Sequence, residues 1–158
     1  MSTYQTTYNE KPPIGVHGQV ANAELSNRIS RTIETAAVPF GAPVQRGAAD
    51  HGAVAFTTGD FLGLAILNPA VPGNVATAST PDQYPVGFTA AIMTRGQMCV
   101  TAGGTVADGD AVHYNPTTKR FVAAESVGNT VGPLTGVLFD TSGGNGDIVE
   151  ISVGNRTA

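Results

Sequence analysis

The strongest constraint on this chain is its punctuation. Apolar runs of about five to ten residues alternate with turns rich in Gly, Pro, Asn and Asp, and none is followed by a long amphipathic helix pattern. One unit shows the principle twice. Gly109-Asp110 opens A-V-H-Y-N at 111–115, and Gly146-Asp147 opens I-V-E-I-S-V at 148–153. Further runs read as strands at 43–46, 53–57, 61–67, 84–93, 97–101, 119–124 and 134–140, with T-R-G-Q at 94–97 read as a hairpin turn. F-L-G-L-A-I-L at 61–67 is apolar throughout, which predicts cover on both faces. In 147–153 the alternation puts Val149, Ile151 and Val153 on one face and Ile148, Glu150 and Ser152 on the other. The sum is all-β: a small antiparallel β-sandwich (jelly-roll-like) or a β-barrel, with an extended N-terminal arm. A parallel α/β fold would need strands alternating with long helices, and the pattern contains none.

The arm is residues 1–38, and the all-β domain is 39–158. The arm is polar, with Tyr4, Tyr8, Ile14, Val16 and Val20 isolated along it, and Pro12 and Pro13 hold it extended. It is too poor in apolar residues to fold alone, so it is expected to be ordered by lying on a neighbour. Leu25, Ile29 and Ile33 recur every fourth residue, which allows a short helix at 23–35. The Ser and Thr between them favour an irregular arm nearly as well.

Charge narrows the function. Only 13% of the 158 residues are charged, about half the usual share, and the net charge is −4. The basic residues are scattered and form no stripe, so direct nucleic-acid binding is not expected. Cys99 is the sole cysteine, which rules out an intrachain disulfide. No apolar stretch is long enough to span a bilayer, and the N-terminus has no signal-peptide pattern, so no membrane partner is expected.

Candidate chemistry is sparse. His17, His51 and His113 share no metal-ligand spacing with one another or with Cys99. Asp50-His51 lacks a nucleophile setting, and His113 reads as a strand residue half in solvent. Asp108, Asp110, Asp140 and Asp147 sit in Gly-rich turns, where Asp usually accepts from its own backbone. The glycine clusters at 103–104 and 143–146 have no Lys-Ser/Thr after them and are turns, not phosphate loops. The chain is read as a non-enzyme with no cofactor and no metal.

Five pieces occur in an ordered series: V-P-F-G-A-P-V-Q-R-G at 38–47, F-L-G-L-A-I-L at 61–67, Y-P-V-G-F-T-A-A-I-M-T-R-G-Q-M-C-V at 84–100, V-A-D-G-D-A-V-H-Y at 106–114, and G-V-L-F-D at 136–140 with G-D-I-V-E-I at 146–151. In this order the body resembles the structural cement, or capsid decoration, proteins of tailed bacteriophages. The resemblance implies a protein on the outer surface of the virion head. Its partners would be the major capsid protein, bridged across subunits, and neighbouring copies of itself as a dimer or trimer. On that reading the arm contacts the capsid, with Tyr4, Tyr8, Ile14, Val16, Leu25 and Ile29 as anchors and Arg28 and Arg31 meeting acidic groups. The loop at 68–83 is a second candidate surface, and exposed strand edges would accept arms of neighbours. The rival is a carbohydrate- or receptor-binding virion surface module, which would need Tyr84 or Tyr114 exposed as a platform.

Overall fold

The computed structural model describes residues 14–71 and 82–154. No described residue is helical. The strands are β1 (Asn27–Ile33), β2 (Val38–Pro39), β3 (Pro43–Arg46), β4 (Gly52–Ala55), β5 (Phe61–Ala65), β6 (Gln83–Tyr84), β7 (Thr89–Thr101), β8 (His113–Asn115), β9 (Arg120–Val122), β10 (Val137–Phe139) and β11 (Ile148–Val153).

The main sheet runs β1-β4-β3-β5-β7-β11-β10, and β1 also pairs with β7. That extra pairing closes β1, β4, β3, β5 and β7 into a five-stranded barrel, so the choice between sandwich and barrel falls to the barrel. Five strands cannot alternate direction all the way around a ring. One neighbouring pair must therefore run parallel. It is β1 with β4, with Thr32 opposite Gly52 and Ile33 opposite Ala53. The other pairs of the ring are antiparallel.

The helix allowed at 23–35 does not form. Residues 27–33 are a strand, and Leu25 is exposed rather than part of a buried stripe. Ile29 and Ile33 turn inward at a spacing that also suits alternation, with Arg28, Ser30 and Thr32 outward. As a helix, this segment would leave the edge of β7 from Thr89 to Arg95 without backbone partners, a heavier cost than lost helix propensity. This part of the expected arm is thus a stave of the barrel.

A second correction concerns β7. The predicted hairpin at 94–97 is absent, and β7 runs unbroken for 13 residues. Its first half serves the barrel through β1 and β5, and its second half pairs with β11. Gly96, at φ +134°, marks the passage between the two. A Cβ there would lie 2.9 Å from that of Ser26, so the glycine lets the chain at Ser26 pass close.

The two Gly-Asp units prove to be one device used twice. Asp110 Oδ2 accepts from Ala107 N–H (2.9 Å), and Asp147 Oδ2 accepts from Gly144 N–H (2.8 Å). Gly109 and Gly146 take φ of +89° and +93°. The units also clasp each other. Val106 and Gly143 exchange both backbone bonds. Phe139 pairs with the Gly109-Asp110 backbone, and Ala102 pairs in the same manner with Gly146-Asp147. Ala111 bridges to Leu138 as Ile148 pairs with Thr101. The segments 101–112 and 138–149 are therefore related by a local two-fold, each supplying the partner strand of the other.

The core is continuous through barrel and extension, including Phe40, Leu64, Tyr84, Ile92, Met98, Phe121, Phe139 and Ile151. β5 is covered on both faces as expected, and β8 and β9 form the expected hairpin. Ser152 is also buried, so the predicted outer face of β11 is itself partly covered. The expected open edges are occupied: β10 by Ala111, β9 by Ala102 and β8 by Val131.

Candidate functional site

The segment leading into β1 lies along β7 like an added strand. Gly18 N–H donates to Cys99 O (2.8 Å), Cys99 N–H to Gln19 O (2.8 Å) and Ala21 N–H to Gln97 O (2.9 Å). Gly15 crosses so close to Cys99 that a Cβ there would fall 2.6 Å from its Sγ. Ile14 and Val16 nevertheless project outward, at 65% and 56% exposure. After Val20 pairs with Met98, the chain loops out over 22–26 before rejoining β7 at Asn27. Leu25 rides on that excursion at 72% exposure.

The excursion is pinned. Asn22 Oδ1 accepts from Glu24 N–H (3.0 Å), and Asn22 Nδ2 donates to Gln97 Oε1. Gln97 Nε2 in turn donates to Asp140 Oδ2 (2.8 Å). Gln97 is buried, which a sequence reading that placed it in a turn could not anticipate. Gln97→Leu removes both of its side-chain bonds at a buried position and is expected to cost about 1–3 kcal/mol. Urea unfolding should show the loss, and a midpoint equal to that of the parent would exclude the network from stability.

The remaining expected contacts divide. Tyr4 and Tyr8 lie outside the described residues, as does 72–81 of the second candidate loop. Arg28 is exposed. Ile29 packs against the core and is not a free anchor, because strand alternation turns it inward. Arg31 is half-buried, and its Nη1 contacts Ser30 O (3.0 Å) and His51 Nδ1 (3.3 Å). Two exposed apolar residues were not anticipated. Val86 and Val127 stand on turns, and Val127 is 90% exposed on a loop closed by Ser126 and Thr130. The sequence signal was a valine isolated among Ser, Gly and Asn at 127, and one held between Pro85 and Gly87 at 86.

Among the described residues, one histidine and both tyrosines are interior. His113 is buried rather than half in solvent, because β8 packs under the 131–134 segment. Tyr84 and Tyr114 are buried as well, so neither forms an exposed platform. Tyr84 Oη donates to Ile66 O (2.7 Å), and burial raises both phenols above their usual range. A shallow groove of about 250 Å³ lies beside Glu34, floored by Val54 and Ala55. Glu34 is engaged there, accepting from Ala48 N–H (2.8 Å) and Ala49 N–H (3.0 Å). Among the described residues, no three His, Cys, Asp or Glu side chains are grouped to hold a metal ion.

The geometry is that of a closed β body with apolar residues presented on its connecting segments. The profile of the family described as "Structural cement protein (E217 gp24/Pam3 gp6)" matches residues 4–154. The chain belongs to this structural cement protein family. In fold, this cement protein is similar to a chain in the solved structure titled "The capsid of Myoviridae Phage XM1", with a TM-score of 0.70 at 11% identity, covering 99% of this chain and 100% of that one. A chain from "The crystal structure of head fiber gp8.5 N base in bacteriophage phi29" aligns at a TM-score of 0.43 and 10% identity, covering 82% of this chain and 94% of that one. No curated protein matches the cement chain. Membership makes it a structural protein associated with the phage capsid.

Proposed function

We propose that this protein is a capsid cement, bound to the outer surface of the phage head across major capsid protein subunits and stabilising the shell. The observation that carries the reading is the family match over residues 4–154. The surface supports it. Ile14 and Val16 are exposed just ahead of the stretch that pairs with β7, and Leu25 is exposed on the excursion pinned by Asn22, so the ordering entropy lost when they dock is reduced. Tyr4 and Tyr8 precede them in sequence and supply further apolar area to a partner. Neighbouring copies pair on the shell, and many modest contacts add up to firm attachment. The burial of Tyr84 and Tyr114 weakens the glycan-binding alternative.

The test is occupancy on purified expanded heads, by cryo-electron microscopy and co-sedimentation. The parent protein should appear as regular density at subunit junctions. Deleting residues 2–13, ahead of the segment held by β7, should weaken binding by at least roughly tenfold, the effect of losing about 1.4 kcal/mol of contact. Unchanged occupancy would remove the arm from the interface. Heads left bare by the intact protein, together with binding on a glycan array, would replace the cement reading by the receptor-binding one.

A further inference from the structure

His17 sits where the N-terminal segment meets the rest of the fold. Its Nδ1 accepts from the backbone N–H of Thr101 (2.9 Å), at the end of β7. This bond assigns the proton of the neutral ring to Nε2. Nε2 is buried against the Phe40-Gly41 backbone, close enough to feel the Phe40 carbonyl but without a well-shaped hydrogen bond. A Cβ on Gly41 would lie 2.5 Å from Nε2, and Gly41 has φ +74°, so the pocket for the ring exists because that residue is glycine. The Phe121 ring stands 6.1 Å away on the remaining side. The segment thus touches β7, β9 and the 40–41 turn through one imidazole. Next to it, Leu67 N–H donates to Gly18 O (2.8 Å).

We infer that His17 is a proton-operated latch, which holds residues 14–21 on β7 when neutral and releases them when protonated. Protonation converts Nδ1 from acceptor to donor. The Thr101 N–H then faces another N–H and loses its partner, while a positive charge is placed in a largely dry site. Among the charged and titratable groups around the site, Asp82 favours the cation from the side of the 40–41 turn. From β7 comes the Cys99 thiol, with Glu150 opposite it on β11, and Arg120 flanks Phe121 on β9. Desolvation outweighs the attraction of Phe40 and Asp82 and lowers the pKa of His17 below its ordinary value.

The sign follows from that direction. The free segment takes up its proton at the ordinary histidine value of about 6.5, and the docked one only at lower pH. Docking is therefore fully favoured above about 6.5 and weakens as pH falls from there through the docked value. The opening equilibrium should rise by up to roughly tenfold for each pH unit within that window. Ile14 and Val16 would be freed together. This inference concerns the isolated protein and does not depend on the capsid reading.

Cys99 supplies the probe, since it is the sole cysteine and is buried under Gly15. The full-length protein is labelled with a dipyridyl disulfide reagent between pH 7.5 and pH 5, alongside His17→Asn. Asparagine keeps a short acceptor near the Nδ1 position but does not titrate. The expected result is a ratio of parent to variant labelling rates that climbs as pH falls, because the intrinsic behaviour of the thiol cancels in the ratio. Parallel profiles would overturn the latch. Should the asparagine variant fail to fold, the parent decides by NMR titration of the His17 ring. A pKa below 6.5, with loss of the Cys99 and Ala21 amide protection over the same pH range, sustains the inference. Titration at or above 6.5, or unchanged protection, sinks it.

Discussion

Gly63→Ala should be among the most damaging single-methyl additions to this fold. A Cβ at Gly63 would fall 2.3 Å from the Met93 carbonyl oxygen and 2.8 Å from Ile92 Cγ2. The nearest obstacle is backbone, so no side chain can swing aside to make room. β5 cannot retreat either, since it pairs with β3 on one edge and β7 on the other inside a closed ring. The added methyl must part β5 from β7 or strain both, at an expected cost of about 3 kcal/mol or more. In a chain of this size that lowers the melting temperature by roughly 6–12 °C. Gly104→Ala is the control, because its Cβ would meet nothing within 4 Å and its φ is ordinary. Equal melting temperatures for the two variants would refute the close packing of β5 on β7.

Phe121→Ala should be comparably severe for a different reason. The ring is fully buried, 5.0 Å from that of Tyr114 and 6.1 Å from that of His17. Its removal leaves a cavity where the β8–β9 hairpin, the 101–103 segment and the N-terminal segment converge. Truncating such a phenylalanine costs about 3–5 kcal/mol. The loss should be accompanied by faster labelling of Cys99, because the segment above it loses one of its supports. Phe61→Ala offers the contrast, since Phe61 is only half-buried and packs edge-on to Phe56 at 6.0 Å. A Phe121→Ala variant no less stable than Phe61→Ala would show that the extension does not depend on this ring.

Several elements were legible because their cause is local. The Asp110 and Asp147 turns are made by a side chain accepting from the N–H three residues earlier, and Gly at the preceding position admits the positive φ. The 113–122 hairpin, the double cover of β5 and the inward face of β11 follow from turn chemistry and alternation. Exposure of Ile14 and Val16 was readable in the same way, as apolar residues isolated among polar ones. Local signals misled where they had two readings. Leu25, Ile29 and Ile33 fit a helical spacing, and Ile29, Arg31 and Ile33 fit a strand equally well, so the choice rested on which edge was waiting for a partner. T-R-G-Q looks like a reversal in isolation, yet it is the bend of a strand that has partners before and after it.

By its own composition and spacing, the sequence determined that this chain builds short strands joined by Gly, Pro and Asp turns, with little charge to spare for catalysis or phosphate binding. Those properties arise from side-chain periodicity and backbone preferences within a few residues. Tertiary structure alone decided that five strands close into a ring, that closure forces β1 and β4 parallel, and that the two Gly-Asp units grip each other. It also decided that His17 lies on Thr101, 84 positions along the chain. These are pairings between distant segments, set by which backbone edges and apolar faces remain unsatisfied once the local strands have formed.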